Sequence, residues 1–292
     1  MLYRVIAIAG GLLAGAHLLD LDDRAHYAWN EWQTPEAEQA LSVWLPDYRV
    51  DTEAVTIPGT VDNASGITYC PDSDSFFVVI NQPTKLLELN RQLQLVRTIE
   101  LEGFSDTEGV AYAGPGQLII ADERKQTVAL ANIDKDTRTL VKSELPQITL
   151  NTNGEGNKGF EGIAVDHEKQ TVYAVRERDP MRLLTIDGLL DAKRNISIND
   201  PLDISRYSFD DLSGLHFDRH SGNLLVLSDE SKLITEINSK GETVSYMDLE
   251  AGFNGLNTSV PQAEGITMDD EGNLYIVSEP NLIYRYQRVD RG

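Results

Sequence analysis

The sequence has a single cysteine, Cys70, so no intrachain disulfide can form. It lies in the apolar stretch Ile67-Thr68-Tyr69-Cys70, which reads as a buried small hydrophobe. The five histidines, His17, His26, His167, His216 and His220, show no zinc-ligand spacing, so zinc is not expected. Basic residues are scarce: Lys and Arg total 25 against 47 Asp and Glu, for a formal net charge of −22. A field of that sign repels phosphate backbones and argues against nucleic acid as a partner, while it attracts cations. Walker loops, dinucleotide fingerprints and Gly-x-Ser-x-Gly elbows are all absent, which leaves a serine or cysteine hydrolase unsupported. Tryptophan is missing from residues 48–292; Trp29, Trp32 and Trp44 all precede them.

What is present begins with an apolar run, VIAIAGGLLAGAHLL (5–19), flanked by Arg4 and by Asp20, Asp22 and Asp23. As a helix it spans about 22 Å, short of the roughly 30 Å hydrocarbon core, but Leu2 and Tyr3 extend it and Arg4 can snorkel. The charge asymmetry puts the N-terminus in the cytoplasm and the remainder outside. Residues 1–20 therefore read as an uncleaved membrane anchor. The rival is a cleaved signal peptide with Ala14-Gly15-Ala16 as the small-residue site. Both place the main domain outside the cytoplasm, facing the periplasm or exterior. Residues 21–47 read as a Trp-containing linker with a short helix over 35–45 (PEAEQALSVWL), Pro35 suiting an early helical position. Its tryptophans sit at the headgroup level or pack the segment onto the domain.

Residues 48–292 repeat. A short strand opens with a small or acidic residue and glycine at Ser65-Gly66, Glu108-Gly109, Glu161-Gly162, Ser213-Gly214 and Glu264-Gly265; the glycines stand 43, 53, 52 and 51 residues apart. A turn follows, as in Ser221-Gly222-Asn223, then a strongly apolar second strand: FFVVI (76–80), LII (118–120), VYAV (172–175), LLVL (224–227) and LYIV (274–277). Third strands follow, such as LITEI (233–237), and fourth strands, such as LVRTIEL (95–101). This period marks propeller blades. The last unit ends after its third strand, and a spare strand, YRVDTEAVTI (48–57), stands ahead of the first. Pairing the two closes the ring and covers the free edge. The fold class is all-β, a five-bladed β-propeller closed by an N-terminal strand and preceded by a membrane anchor helix.

NASGITY (63–69), NKGFEGIAV (157–165), DLSGLHF (211–217), QAEGITM (262–268) and YIVSEPN (275–281) resemble the SdiA-regulated, YjiK-like family of bacterial proteins over roughly residues 48–292, with a similar N-terminal membrane segment. The resemblance implies a five-bladed propeller, distantly related to NHL-type repeats, with a calcium site; it implies no established reaction.

The innermost strand of each blade lines the central channel, so its opening residue points to the axis at one mouth. Glu108, Glu161 and Glu264 are three of the five openers, beside Ser65 and Ser213. Converging carboxylates repel one another, so either their pKa values rise or a cation joins them. An all-oxygen set suits Ca2+ first. The other reading is that the glutamates bond to backbone amides and hold the blades together. A second polar ring follows the second strand at Asn81, Asp122, Glu177, Asp229 and Glu279, 13–15 residues beyond each glycine. Strand direction is expected to put this ring at the opposite end, unless the first strand is very short. Asp122, Glu177 and Glu279 join the first-ring glutamates as candidate metal ligands. Arg124, Arg176 and Arg178 read as loop charges in mutual pairs. NTNGEGNKGFEG (151–162) fails as an EF-hand, because Asn151 and Gly162 stand where Asp and a bidentate Glu are required. His216 is expected to point into a blade interface, which disfavours it as a general base. The function expected is a tethered calcium-binding module that takes a small-molecule or protein ligand at its mouth. The alternative is a calcium-dependent hydrolase of lactonase or phosphoesterase type.

Overall fold

The structure is a computed structural model that describes residues 21–150, 159–178, 180–191 and 195–289, with backbone alone for 21–26. The anchor segment 1–20 and most of the EF-hand-like stretch, 151–158, lie outside the described residues. Among the described residues no helix is long and apolar enough to cross a membrane.

Helix α1 (Leu21–Gln33) leads to α2 (Glu36–Gln39). The helix expected over 35–45 is thus a single turn. Trp44 takes a left-handed backbone (φ 55°), which ends helical geometry, and a 3-10 turn follows at Leu45–Asp47. The segment is more than a linker. Glu236 Oε1 accepts from Val43 N at 2.8 Å and Glu236 Oε2 from Trp44 N at 3.0 Å. Tyr27 is buried against Tyr246, with ring centroids 5.2 Å apart. Trp44 is buried too, whereas Trp29 and Trp32 are exposed at 57 % and 75 %.

Strand β1 (Tyr48–Thr56) comes next. Blade 1 is β2 (Ala64–Cys70), β3 (Ser75–Ile80), β4 (Lys85–Asn90) and β5 (Leu95–Glu102). Blade 2 is β6 (Thr107–Gly114), β7 (Gln117–Asp122), β8 (Thr127–Asn132) and β10 (Gln147–Thr149); the intervening β9 (Thr139–Val141) pairs parallel with β5 and widens blade 1. Blade 3 is β11 (Phe160–Asp166), β12 (Thr171–Arg176), β13 (Arg182–Asp187) and β14 (Ser197–Leu202). Blade 4 is β15 (Gly214–Asp218), β16 (Asn223–Ser228), β17 (Leu233–Ile237) and β18 (Thr243–Asp248). Blade 5 holds β19 (Ala263–Met268), β20 (Leu274–Ser278) and β21 (Leu282–Arg288), with β1 antiparallel to β21 from Tyr48↔Arg288 to Thr56↔Leu282.

Five hydrophobic clusters hold the blades, one in each interface. The second strand explains how. In β3, Phe76, Val78 and Ile80 enter the cluster shared with blade 5, and the alternate Phe77 and Val79 enter the one shared with blade 2. A strand with period-two side chains and cores on both faces must be apolar throughout. The innermost strands contact one another in a ring, β2 to β6, β11, β15, β19 and back to β2.

Candidate cation site at the channel mouth

The ring is tightest at the glycines after the strand openers. A Cβ on Gly109 would stand 2.6 Å from the Glu161 carbonyl oxygen, and one on Gly265 would stand 2.6 Å from that of Ser65. Four of the inner strands thus rest on the opener of the next blade, and that of blade 3 rests at Gly162 on Gly214 and Leu215, at a distance only glycine allows. This crowding brings the openers to one place. Glu108, Glu161 and Glu264 line a cavity of about 10 Å³ with the surrounding glycines, room for little more than one water or ion.

The carboxyls are correspondingly perturbed. Burial pushes Glu108 up to about 9; a hydrogen bond with Ser65 opposes this, and Glu123, Asp106 and Glu264 add to it. Glu161 is raised well above the ordinary carboxylate range, by burial first and then by Glu108, Glu123, Glu264 and Glu177. Glu264 rises to about 8 through burial, with Glu279, Asp229, Asp211 and Glu177 adding charge repulsion. The pairing of causes shows that the three glutamates share one field.

The second ring lies at this same mouth, not at the opposite end. The second strand runs antiparallel to the first, so its last residues sit beside the first strand's opening, as in Thr107↔Asp122 and Ala263↔Ser278. Asn81 Nδ2 accordingly donates to Glu108 Oε1 at 2.5 Å. In blade 2 the ring member is Glu123. Asp122 is set apart: it is buried in an ion pair with Lys142 Nζ at 2.6 Å and accepts from Ser105 N and Oγ. Glu123 N donates to Asp106 O, the position matched by Asn81 N to Asn63 O and Glu279 N to Gln262 O. The spacing carried a signal, since Glu123 is 14 residues from its glycine and Asp122 only 13.

Asp106, which the sequence left unmarked, completes a cluster with Glu108 and Glu123 whose carboxylate oxygens lie within 4.8 Å of one another. Oxygens at that separation can all touch one ion at the roughly 2.4 Å of a calcium–oxygen bond. The donor set therefore fits a hard divalent cation, with Glu108 common to this flank and to the axial ring. Glu177 and Glu279 stand near enough to repel Glu264. Asp229 is held by Lys232 Nζ at 2.6 Å and by Ala263 N at 2.7 Å. Two arginines pair locally, Arg124 with Asp106 at 3.0 Å and Arg178 with Glu177 at 2.5 Å and Glu230 at 2.6 Å. Arg176, expected as a paired loop charge, is instead buried at the end of β12 opposite Phe160 and makes no ion pair among the described residues. His216 also departs from expectation: it lines the channel at the end remote from these carboxylates.

A family model described as SdiA-regulated matches residues 40–287. Solved structures of similar fold include a glutaminyl cyclase from Myxococcus xanthus, with TM-score 0.54, 15 % identity and coverage of 83 % of this chain and 97 % of that one. A gluconolactonase from Xanthomonas campestris gives TM-score 0.53 at 11 % identity, covering 87 % and 93 %. The calcium-binding protein regucalcin from Agrobacterium tumefaciens gives 0.52 at 11 % identity, covering 81 % and 93 %. At these identities the likeness is one of fold.

Proposed function

The chain belongs to the SdiA-regulated family, and we propose that it is a membrane-tethered, extracytoplasmic propeller that binds calcium at its acidic mouth and presents that face to a ligand or partner. The observation that carries the calcium reading is the convergence of Glu108, Glu161 and Glu264 on one small cavity, with carboxyls raised by burial and by neighbouring carboxylates. Such a set takes up either protons or a cation, and a cation of hard character satisfies several oxygens at once. Glu108, Glu161, Glu264, Glu123 and Asp106 would hold the ion, with Glu177 and Glu279 supplying charge from the second ring. Bound there, calcium would neutralise repulsion between blades and hold the mouth in one shape. Tethering rests on the apolar run 5–19 and on the exposed Trp29 and Trp32 that follow it. Pairing of β1 with β21 is read as the clasp that shuts the ring.

The calcium-dependent hydrolase remains the second reading. It is favoured by the second-ring carboxylates Glu177 and Glu279, which stand at the same mouth beside the candidate ligands and would supply general bases there. Calorimetry decides the first point: wild-type protein should take up calcium at pH 8, and failure to do so removes both readings. A calcium-dependent turnover of lactone or phosphoester substrates that Glu161→Gln abolishes would establish the enzyme.

A further inference from the structure

The far end of the channel holds a second and larger cavity, of about 120 Å³. Thr68, Ala111, Ala164, His216 and Thr267 line it from five strands, each two residues past a ring glycine. The two alanines leave the space. The two threonine hydroxyls are occupied, accepting from Tyr112 N and Tyr69 N of the next blade. His216 is the one large polar side chain at this level, and burial pushes its imidazole down to about 4, so it is neutral at physiological pH.

The rim carries His167, Arg219 and His220 together with the acids Asp218, Asp269 and Asp270. The acids are committed. Asp269 accepts from Asn273 Nδ2 at 2.9 Å and Tyr275 Oη at 3.1 Å, Asp270 is paired with Arg91, and Asp218 accepts from Ser221 N at 2.8 Å. Arg219 makes no hydrogen bond or ion pair among the described residues, in a chain with 47 acidic side chains. Its electrostatic neighbours Tyr112 and His167 are both shifted towards their neutral forms. Ser213 at the acidic mouth and Arg219 are six residues apart, roughly 20 Å along a strand. At that distance the two mouths are separate sites.

We propose that this cavity binds a small aromatic carboxylate, its ring between the channel walls, its charge on Arg219, with His216 as the polar contact at depth. A guanidinium matches a carboxylate with two parallel hydrogen bonds. A neutral imidazole offers one donor and one acceptor. An apolar cavity of about 150 Å³ takes benzene whole; this one is smaller, at about 120 Å³, and has threonine and histidine among its apolar walls, but it is open at the rim, so a ring enters with its substituent outside.

Benzoate tests this on the full chain, with a calcium chelator present so that the acidic mouth cannot hold the carboxylate through a metal. With five histidines in the chain, ring resonances give a site-specific readout. Saturable shifts are expected at His167, His216 and His220. Arg219→Gln should weaken benzoate at least about tenfold, Arg219→Lys less, and benzamide should bind wild type at least about tenfold more weakly than benzoate does. Arg219 is exposed, so its variants should melt with wild type. Absence of saturable shifts overturns the proposal, as does equal binding by Arg219→Gln or by benzamide. Shifts that need calcium would move the site to the other mouth and overturn it equally.

Discussion

Glu161 is raised by four other carboxylates besides its burial, so it is the side chain whose charge the folded ring tolerates least. Glu161→Gln keeps its shape and removes that charge. With chelator present the variant should melt above wild type, and calorimetry should show calcium bound at least tenfold more weakly. Unchanged calcium binding would mean the glutamates serve only as partners for backbone amides. The same residues set a pH dependence. Glu108 and Glu264 titrate at about 9 and about 8 in the folded protein, against an ordinary 4.5. The folded state then holds protons that the unfolded chain releases. Their stabilisation is complete below about 4.5 and is lost as pH rises through the folded values. His216 acts oppositely, since its folded value of about 4 lies below the ordinary 6.5. It stabilises fully above pH 6.5 and loses that contribution as pH falls towards 4. Between pH 6.5 and 9 His216 no longer contributes and the raised carboxyls, with Glu31 at about 7 among them, all act in one direction, so scanning calorimetry in chelator should show the melting temperature falling across this window. Calcium should abolish the fall; a flat chelated profile would contradict the carboxyl shifts.

Two elements decide how the ring is held. β1 supplies the outer strand of blade 5. Deleting residues 48–57 exposes the edge of β21 and removes Tyr48 and Ile57 from their clusters. Cooperative melting should vanish, and a truncated chain that melts like the intact one would show that the clasp is dispensable. Among the contacts that hold the segment before β1, the buried Glu236 gathers the most hydrogen bonds. Glu236 accepts from Val43 N, Trp44 N, Asn223 Nδ2 and Ser245 Oγ. Glu236→Ala leaves buried donors without acceptors, each costing about 1–3 kcal/mol. Urea unfolding should report a loss of at least roughly 2 kcal/mol, and limited proteolysis should cut first within 34–47. A variant with wild-type stability would contradict the anchoring role.

The whole molecule is read as hanging from a membrane by its N-terminal segment. All three tryptophans precede the propeller, so intrinsic tryptophan emission reports on that segment alone. In vesicles containing brominated lipid, Trp29 and Trp32 should be quenched and the buried Trp44 spared. The double variant Trp29→Phe/Trp32→Phe should lose the quenchable fraction; emission unaffected by the lipid would place the segment away from the bilayer. A reporter fused after Gly292 should be active outside the cytoplasm, and activity only inside would contradict both the anchor and the signal-peptide readings. The sequence alone determined that the chain is a five-unit repeat, because each blade needs a glycine at the crowded axis and an apolar strand between two cores. It also placed Glu108, Glu161 and Glu264 in one register. Only tertiary structure decided what surrounds them. The antiparallel hairpins return the second ring to the first, and the tight turn of blade 2, with its irregularity between Tyr112 and Gly114, shortens the residue count by one relative to blade 1, exchanging Asp122 for Glu123. The Glu236 anchor and the channel position of His216 were illegible for one reason: the neighbours of a buried side chain come from segments far apart in sequence, as Val43 and Glu236 do across 193 residues. Asp106 meets Glu108 and Glu123 within blade 2, and only the hairpin geometry brings the three together.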